Sequence, residues 1–125
     1  MRVSFCIPTH DGNARCQNYL FDIFHALSQQ TNKDFNVWIS DHSKSNKVLQ
    51  ACQEYADLFE INYIKNTNKY GNISANTNHA LQHGDGDILK VLFSDDFILT
   101  RSLVAELDKS FTDDENNNYY YIGFS

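Results

Sequence analysis

Short apolar runs alternate along this chain with segments whose apolar residues recur at helical spacing, and that alternation limits the fold more than any other feature. Residues 3–7 (VSFCI) read as a first strand, 35–39 (FNVWI) as a second, 61–64 as a short third and 88–93 as a fourth. Between them, Leu20, Ile23, Phe24 and Leu27 mark one face of a helix over 14–30. Val48, Leu49, Cys52, Tyr55, Ala56 and Phe59 mark another over 45–58. A third helix is expected over 74–83, with Gly84 suited to a left-handed C-terminal position. A fourth follows Thr100, a good N-cap, with Leu103, Leu107 and Phe111 facing inward. Residues 119–124 read as a last strand. This order predicts an α/β fold, a mostly parallel Rossmann-like sheet with helices on both faces.

In a parallel sheet every strand ends on the same edge, where ligands of open α/β folds bind. Three strands here end in polar clusters: His10-Asp11, Asp41-His42 and Asp95-Asp96. Adjacent carboxylates repel, and a divalent cation relieves the repulsion. The plainer alternatives stay open: aspartate is common in turns and at helix starts, a loop histidine is often simply solvated, and Asp95-Asp96 also fits an exposed acidic turn.

The chain has 125 residues and fits one domain. Its net charge of −6, with no Lys/Arg run, argues against a nucleic-acid surface. An acidic protein that holds a phosphate ligand needs a cation or backbone amides to do so. Cys6, Cys16 and Cys52 are odd in number and lack CxxC spacing, which reads as reduced thiols in a cytoplasmic protein. No stretch approaches the roughly 20 apolar residues of a membrane span, and the apolar run before Pro8 is too short for a signal peptide. The five glycines make neither a dinucleotide fingerprint nor a P-loop, and no GxSxG elbow occurs. Residues 84–87 (GDGD) lack the full spacing of a calcium loop and suit a helix-to-strand turn.

Four blocks, in order, resemble family-two glycosyltransferases. Residues 3–11 (VSFCIPTHD) resemble the opening strand, V-S-x-I-I-P-T-Y-N; residues 35–43 (FNVWISDHS) resemble the second strand, which ends in D-D-x-S. Residues 71–81 (GNISANTNHAL) are similar to a G-x-S-x-N-x-N-x-A-L segment. Residues 86–96 (GDILKVLFSDD) are similar to the strand that carries the metal-binding acids.

The resemblance implies a GT-A fold, with residues 1–125 as a single nucleotide-sugar-binding domain that lacks the acceptor-binding half. It implies a nucleotide site of Pro8, Thr9, His10, Asp41, Asn76, Asn78 and Asp95. The His10 ring would stack on the base, Asp41 would accept a uracil N–H, and Asp95 would contact the ribose. Asp96 would bind Mn²⁺ or Mg²⁺ bridging the diphosphate, and hard carboxylate oxygens suit either ion. The implied partner is a nucleotide sugar, a UDP-sugar first, with a sugar, lipid or protein acceptor undefined. Ser40 and Phe93 stand where the family often has acids, and no residue is assigned as general base. Two other readings remain: a nucleotide-sugar-binding remnant without transfer activity, completed by a partner chain or a second copy, and a metal-dependent phosphoesterase. The phosphoesterase would use His10, Asp11, Asp41, His42, Asp95 and Asp96 as a two-metal cluster.

Overall fold

Period-two alternation in the strands sets the two faces of the sheet. The computed structural model describes residues 1–67 and 72–112. The elements run β1 (Val3–Thr9), α1 (Cys16–Ser28), β2 (Phe35–Asp41), α2 (Lys47–Tyr55), β3 (Ile61–Lys65), α3 (Ile73–His83), β4 (Ile88–Val91) and α4 (Leu103–Thr112). Among the described residues the strands form one sheet in the order β3-β2-β1-β4, and every pairing is parallel. The strand expected over 119–124 lies outside the described residues.

Val3, Phe5 and Ile7 of β1 and Phe35, Val37 and Ile39 of β2 share one face. They join Leu20, Ile23, Phe24 and Leu27 of α1, Val48 and Ala51 of α2, and Val104 and Leu107 of α4 in one core. The intervening residues Ser4, Cys6, Asn36 and Ser40 face the other way, where α3 lies against β1 and β2. That second face is polar. Ser4 donates to Asn36 Oδ1 at 2.7 Å, and Asn36 donates to Asp85 at 2.7 Å.

Four expectations need correction. Gly84 is not left-handed, with φ −56 and ψ 128. A Cβ there would lie 2.7 Å from Leu89 Cδ2 and 2.9 Å from Cys6 Sγ, so glycine permits the close approach of chain to sheet. Helix α4 starts at Leu103, and Thr100 caps the turn before it by accepting the Ser102 N–H at 3.2 Å. The first helical amides are served from elsewhere: Gln30, fully buried, accepts the Val104 N–H at 3.1 Å and donates to the Thr100 carbonyl at 2.8 Å. Strand β4 ends at Val91 rather than Phe93, although the Leu92 N–H still reaches the Cys6 carbonyl at 3.1 Å. β4 is also less buried than its apolar run suggests, since it pairs only with β1 among the described residues, and Leu89 is 45% exposed. Helices α1 and α2 are shorter at both ends than the expected 14–30 and 45–58; Asp11, not a residue of α2, accepts the Lys44 and Ser45 N–H groups ahead of it.

Candidate functional site

The parallel register puts the carboxyl ends of the strands side by side. Thr9 pairs with Asp41, and Cys6 pairs with Val91 just before the 93–96 turn. A cleft of about 220 Å³ opens on this edge. Pro8 and His10 come to it from the end of β1, Asn76 from α3, and Phe93, Ser94 and Asp95 from the turn after β4. Asn13, Cys16 and Tyr19 complete one wall and Ile73 another. Sequence reasoning missed these four; the helical pattern put Cys16 and Tyr19 on α1 but gave no reason to aim them at the strand ends.

His10 is held by its own loop. Its Nδ1 accepts the Gly12 N–H at 3.0 Å, so the neutral ring carries its proton on Nε2. A side chain at Gly12 would meet Nδ1 at 2.9 Å and displace the ring.

Beneath the cleft lies a buried polar layer. Asn76 donates to the Thr9 carbonyl at 3.1 Å, while its Oδ1 accepts from Ser40 at 2.7 Å and from Asn66 at 3.2 Å. One amide thus ties the ends of β1 and β2 to the loop after β3. Thr9 and Asp41 are buried in the same layer.

Asp41 does not stand open to a base. It is fully buried, and its oxygens accept from Thr9 Oγ1 at 3.2 Å, the Ser43 N–H at 2.9 Å and the Tyr63 hydroxyl at 2.5 Å. Burial, and then the bond to this carboxylate, push the Tyr63 hydroxyl well above the ordinary phenol range. Tyr63 is a further residue that the sequence reading missed.

The two adjacent acids part company. Asp95 is exposed and lines the cleft, whereas Asp96 lines a neighbouring hollow of about 420 Å³ with Phe97 and Leu99. Asp96 Oδ2 accepts the Phe93 N–H at 2.8 Å and so closes the 93–96 turn. Asn78 is exposed and outside the cleft's lining; two positions beyond Asn76, it points about 200° around the helix.

The six side chains of the phosphoesterase reading do not converge. Asp11 is spent on the amides ahead of α2, where the Ser45 hydroxyl and backbone bonds hold its carboxyl down at about 2. Asp41 faces inward, and His42 is buried beside it in the chain. Among the described residues no three His, Cys, Asp or Glu side chains gather closely enough to hold a metal ion by themselves. What the cleft offers is one exposed carboxylate, an imidazole N–H and apolar or aromatic walls. Such a set suits an ion that keeps waters and takes its remaining ligands from a bound phosphate, as Mg²⁺ and Mn²⁺ do. No helix among the described residues is long and apolar enough to cross a membrane.

The fold has counterparts among solved structures. The first 349 residues of TarS from S. aureus superpose with a TM-score of 0.80 at 19% identity, covering 92% of this chain and 33% of that one. The same TarS portion in complex with UDP-GlcNAc gives 0.78 at 19% identity, over 92% of this chain and 32% of that one. The mannosyltransferase PcManGT from Pyrobaculum calidifontis, in complex with GDP-Man and Mn²⁺, gives 0.69 at 21% identity, over 90% of this chain and 33% of that one. This chain therefore spans about a third of the length of each. Among curated proteins no relative matches. These likenesses show a GT-A glycosyltransferase fold, and the model of one sequence family, glycosyl transferase family 2, matches residues 4–122: the chain belongs to that family.

Proposed function

We propose that the chain is the nucleotide-sugar-binding part of a glycosyltransferase and that the cleft between His10, Asn76 and Asp95 receives the nucleoside diphosphate. The observation that carries this reading is that Asp95, from the end of β4, lines the same cleft as His10, from the end of β1. A flat base has the His10 ring and apolar walls for contact, and the diphosphate has the exposed acidic turn, where a divalent cation bridges the two negative groups. Asp95 and the remaining oxygen of Asp96 would hold Mn²⁺ or Mg²⁺. When bound, the ion would neutralise charge building on the diphosphate leaving group. His10 contributes its Nε2–H and ring face, and Asn76 fixes the Thr9 carbonyl beneath.

Asp41 enters this proposal from below. Its carboxylate orders Thr9, Ser43 and Tyr63 at three strand ends. Direct acceptance of a base N–H by Asp41 requires its fully buried carboxylate to be uncovered first. Sugar transfer also needs an acceptor site and a base, roles that none of these cleft residues is given. The three buried free cysteines fit a reducing compartment such as the cytoplasm.

A thermal-shift panel of UDP, GDP, CMP and UDP-GlcNAc, each with and without Mn²⁺, tests the reading. At a hundred times its dissociation constant a ligand adds about 2.7 kcal/mol of stability. The expected result is a rise in Tm with at least one nucleoside diphosphate that grows when Mn²⁺ is present. A rise with Mn²⁺ alone that no nucleotide enlarges contradicts it.

A further inference from the structure

Away from the cleft, α3 carries two histidines one turn apart, His79 and His83. Their partners fix their protons. His83 Nδ1 lies 2.8 Å from the His79 carbonyl oxygen, which can only accept, so that nitrogen carries the hydrogen. His79 Nδ1 lies 2.6 Å from Ser40 Oγ, and there the assignment follows a chain of bonds. The Thr9 carbonyl can only accept, so Asn76 turns its Nδ2 towards Thr9 and its Oδ1 towards Ser40. Ser40 has one hydrogen and gives it to that Oδ1. Ser40 Oγ can then only accept from His79, whose Nδ1 must donate. Both neutral rings therefore carry their hydrogen on Nδ1 and a lone pair on Nε2, the form in which imidazole binds a metal.

The spacing suits one ion. Residues four apart on a helix are neighbours. The two ring centres lie 4.7 Å apart, with the planes at 61°. Two imidazoles sharing an ion at about 2.1 Å, at an angle between a right angle and the tetrahedral one, place their ring centres roughly 4.6–5.3 Å apart. Metal-bound histidine usually donates its other N–H to a fixed acceptor, and here Ser40 and the His79 carbonyl are those acceptors. Burial, with His83 and His42 nearby, holds the His79 imidazole below its ordinary pKa. His79 is half-buried and His83 exposed, so an ion has access from solvent.

We propose that His79 and His83 form a bidentate site for a borderline transition-metal ion, Zn²⁺, Ni²⁺ or Cu²⁺, on the flank of α3. Water supplies the remaining ligands, since no third metal-binding side chain joins the pair among the described residues. The site differs in kind from the 95–96 turn: imidazole nitrogen favours these ions, whereas carboxylate favours Mg²⁺ and Mn²⁺. It is tied to the cleft by the Ser40 to Asn76 bond, so an ion here braces the cleft from behind.

The protein carries its own probe. Trp38, its single tryptophan, stacks on His83 with ring centres 6.1 Å apart. Cu²⁺ bound beside an indole quenches its emission, and Zn²⁺ does not. Titration of the chain with CuCl₂ is expected to quench Trp38 saturably at one equivalent, with reversal by excess Zn²⁺. His83→Ala, at an exposed position, is expected to weaken the midpoint at least tenfold, and His25→Ala to leave it unchanged. Because His83→Ala also removes the stacking partner, calorimetry with ZnCl₂ supplies a second readout: one ion per chain in the parent and none in His83→Ala. Quenching that does not saturate, or Zn²⁺ uptake that survives His83→Ala, overturns the proposal.

Discussion

The Tyr63 hydroxyl donates to Oδ2 of Asp41 at 2.5 Å, across the neighbouring strands β3 and β2. Asp41 is fully buried and also accepts from Thr9 on β1 and from the Ser43 amide. One carboxylate therefore links β1, β2 and β3 under the cleft. A buried acceptor that loses a donor costs about 1–3 kcal/mol. Tyr63→Phe is expected to lower the urea-unfolding free energy by roughly that amount. Asp41→Ala, which strands three donors, is expected to lower it further. A Tyr63→Phe protein as stable as the parent would show that this bond does not brace the strand ends.

The sheet and its parallel order were legible because apolar runs and helical faces alternate without interruption from Val3 to Val91. The convergence of His10 and Asp95 was legible for the same reason: parallel strands end on one edge. The burial of Asp41 was not legible, because a Thr9-Asp41-Tyr63 linkage joins residues 22 and 32 positions apart, and no local pattern announces it. Gln30 is similar. It reads as a polar residue at a helix end, yet its amide serves the first turn of α4, 74 positions away. The polar second face was present in the alternation of Ser4, Asn36 and Ser40 with apolar residues, but in short runs that signal is masked by the apolar majority.

Two glycines separate stability from binding. A Cβ at Gly86 would lie 2.7 Å from the Arg2 carbonyl oxygen and 2.8 Å from the Ser4 amide nitrogen, and backbone atoms in a strand cannot give way. A Cβ at Gly12 would press only on the His10 ring, which can swing aside. Gly86→Ala is expected to destabilise by more than about 1 kcal/mol, within the range for strained core substitutions. Gly12→Ala is expected to keep the parent's Tm and lose nucleotide affinity. Equal Tm values for the two variants would contradict this division.

Acid pH tests the Asp11 contacts. Its carboxyl sits at about 2 in the fold, against about 3.9 in an unfolded chain. A depressed folded value gives stability that is present above the unfolded value and is lost as pH falls through the folded one. The window is therefore pH 4 down to pH 2. Asp11→Asn is expected to be less stable than the parent at pH 6, with the difference shrinking across that window. Solvent screens this half-buried group, so the effect is modest. A gap between the proteins that stays constant from pH 6 to pH 2 would show that ionisation of Asp11 plays no part.

Burial accounts for the thiols. Cys6 is pushed up to about 12 by burial and by the nearby Asp85 carboxylate, and Cys52 to about 12 by burial and by Asp41. Neither forms appreciable thiolate at pH 8. A thiol reagent at pH 8 is expected to label these two only as fast as the chain unfolds, and in urea all three cysteines at once. Rapid labelling of Cys52 in the native protein would contradict the packing of α2 on the sheet.

The central claim is that the strand-end cleft binds a nucleoside diphosphate through Asp95 and a divalent cation. Calorimetric titration of UDP and of GDP into the chain, with and without Mn²⁺, tests it most directly when repeated on Asp95→Ala. The account predicts Mn²⁺-dependent binding of at least one nucleotide by the parent and at least a tenfold loss in the variant. Mn²⁺-dependent binding that is undiminished in Asp95→Ala, or no binding of either nucleotide by the parent, would contradict it.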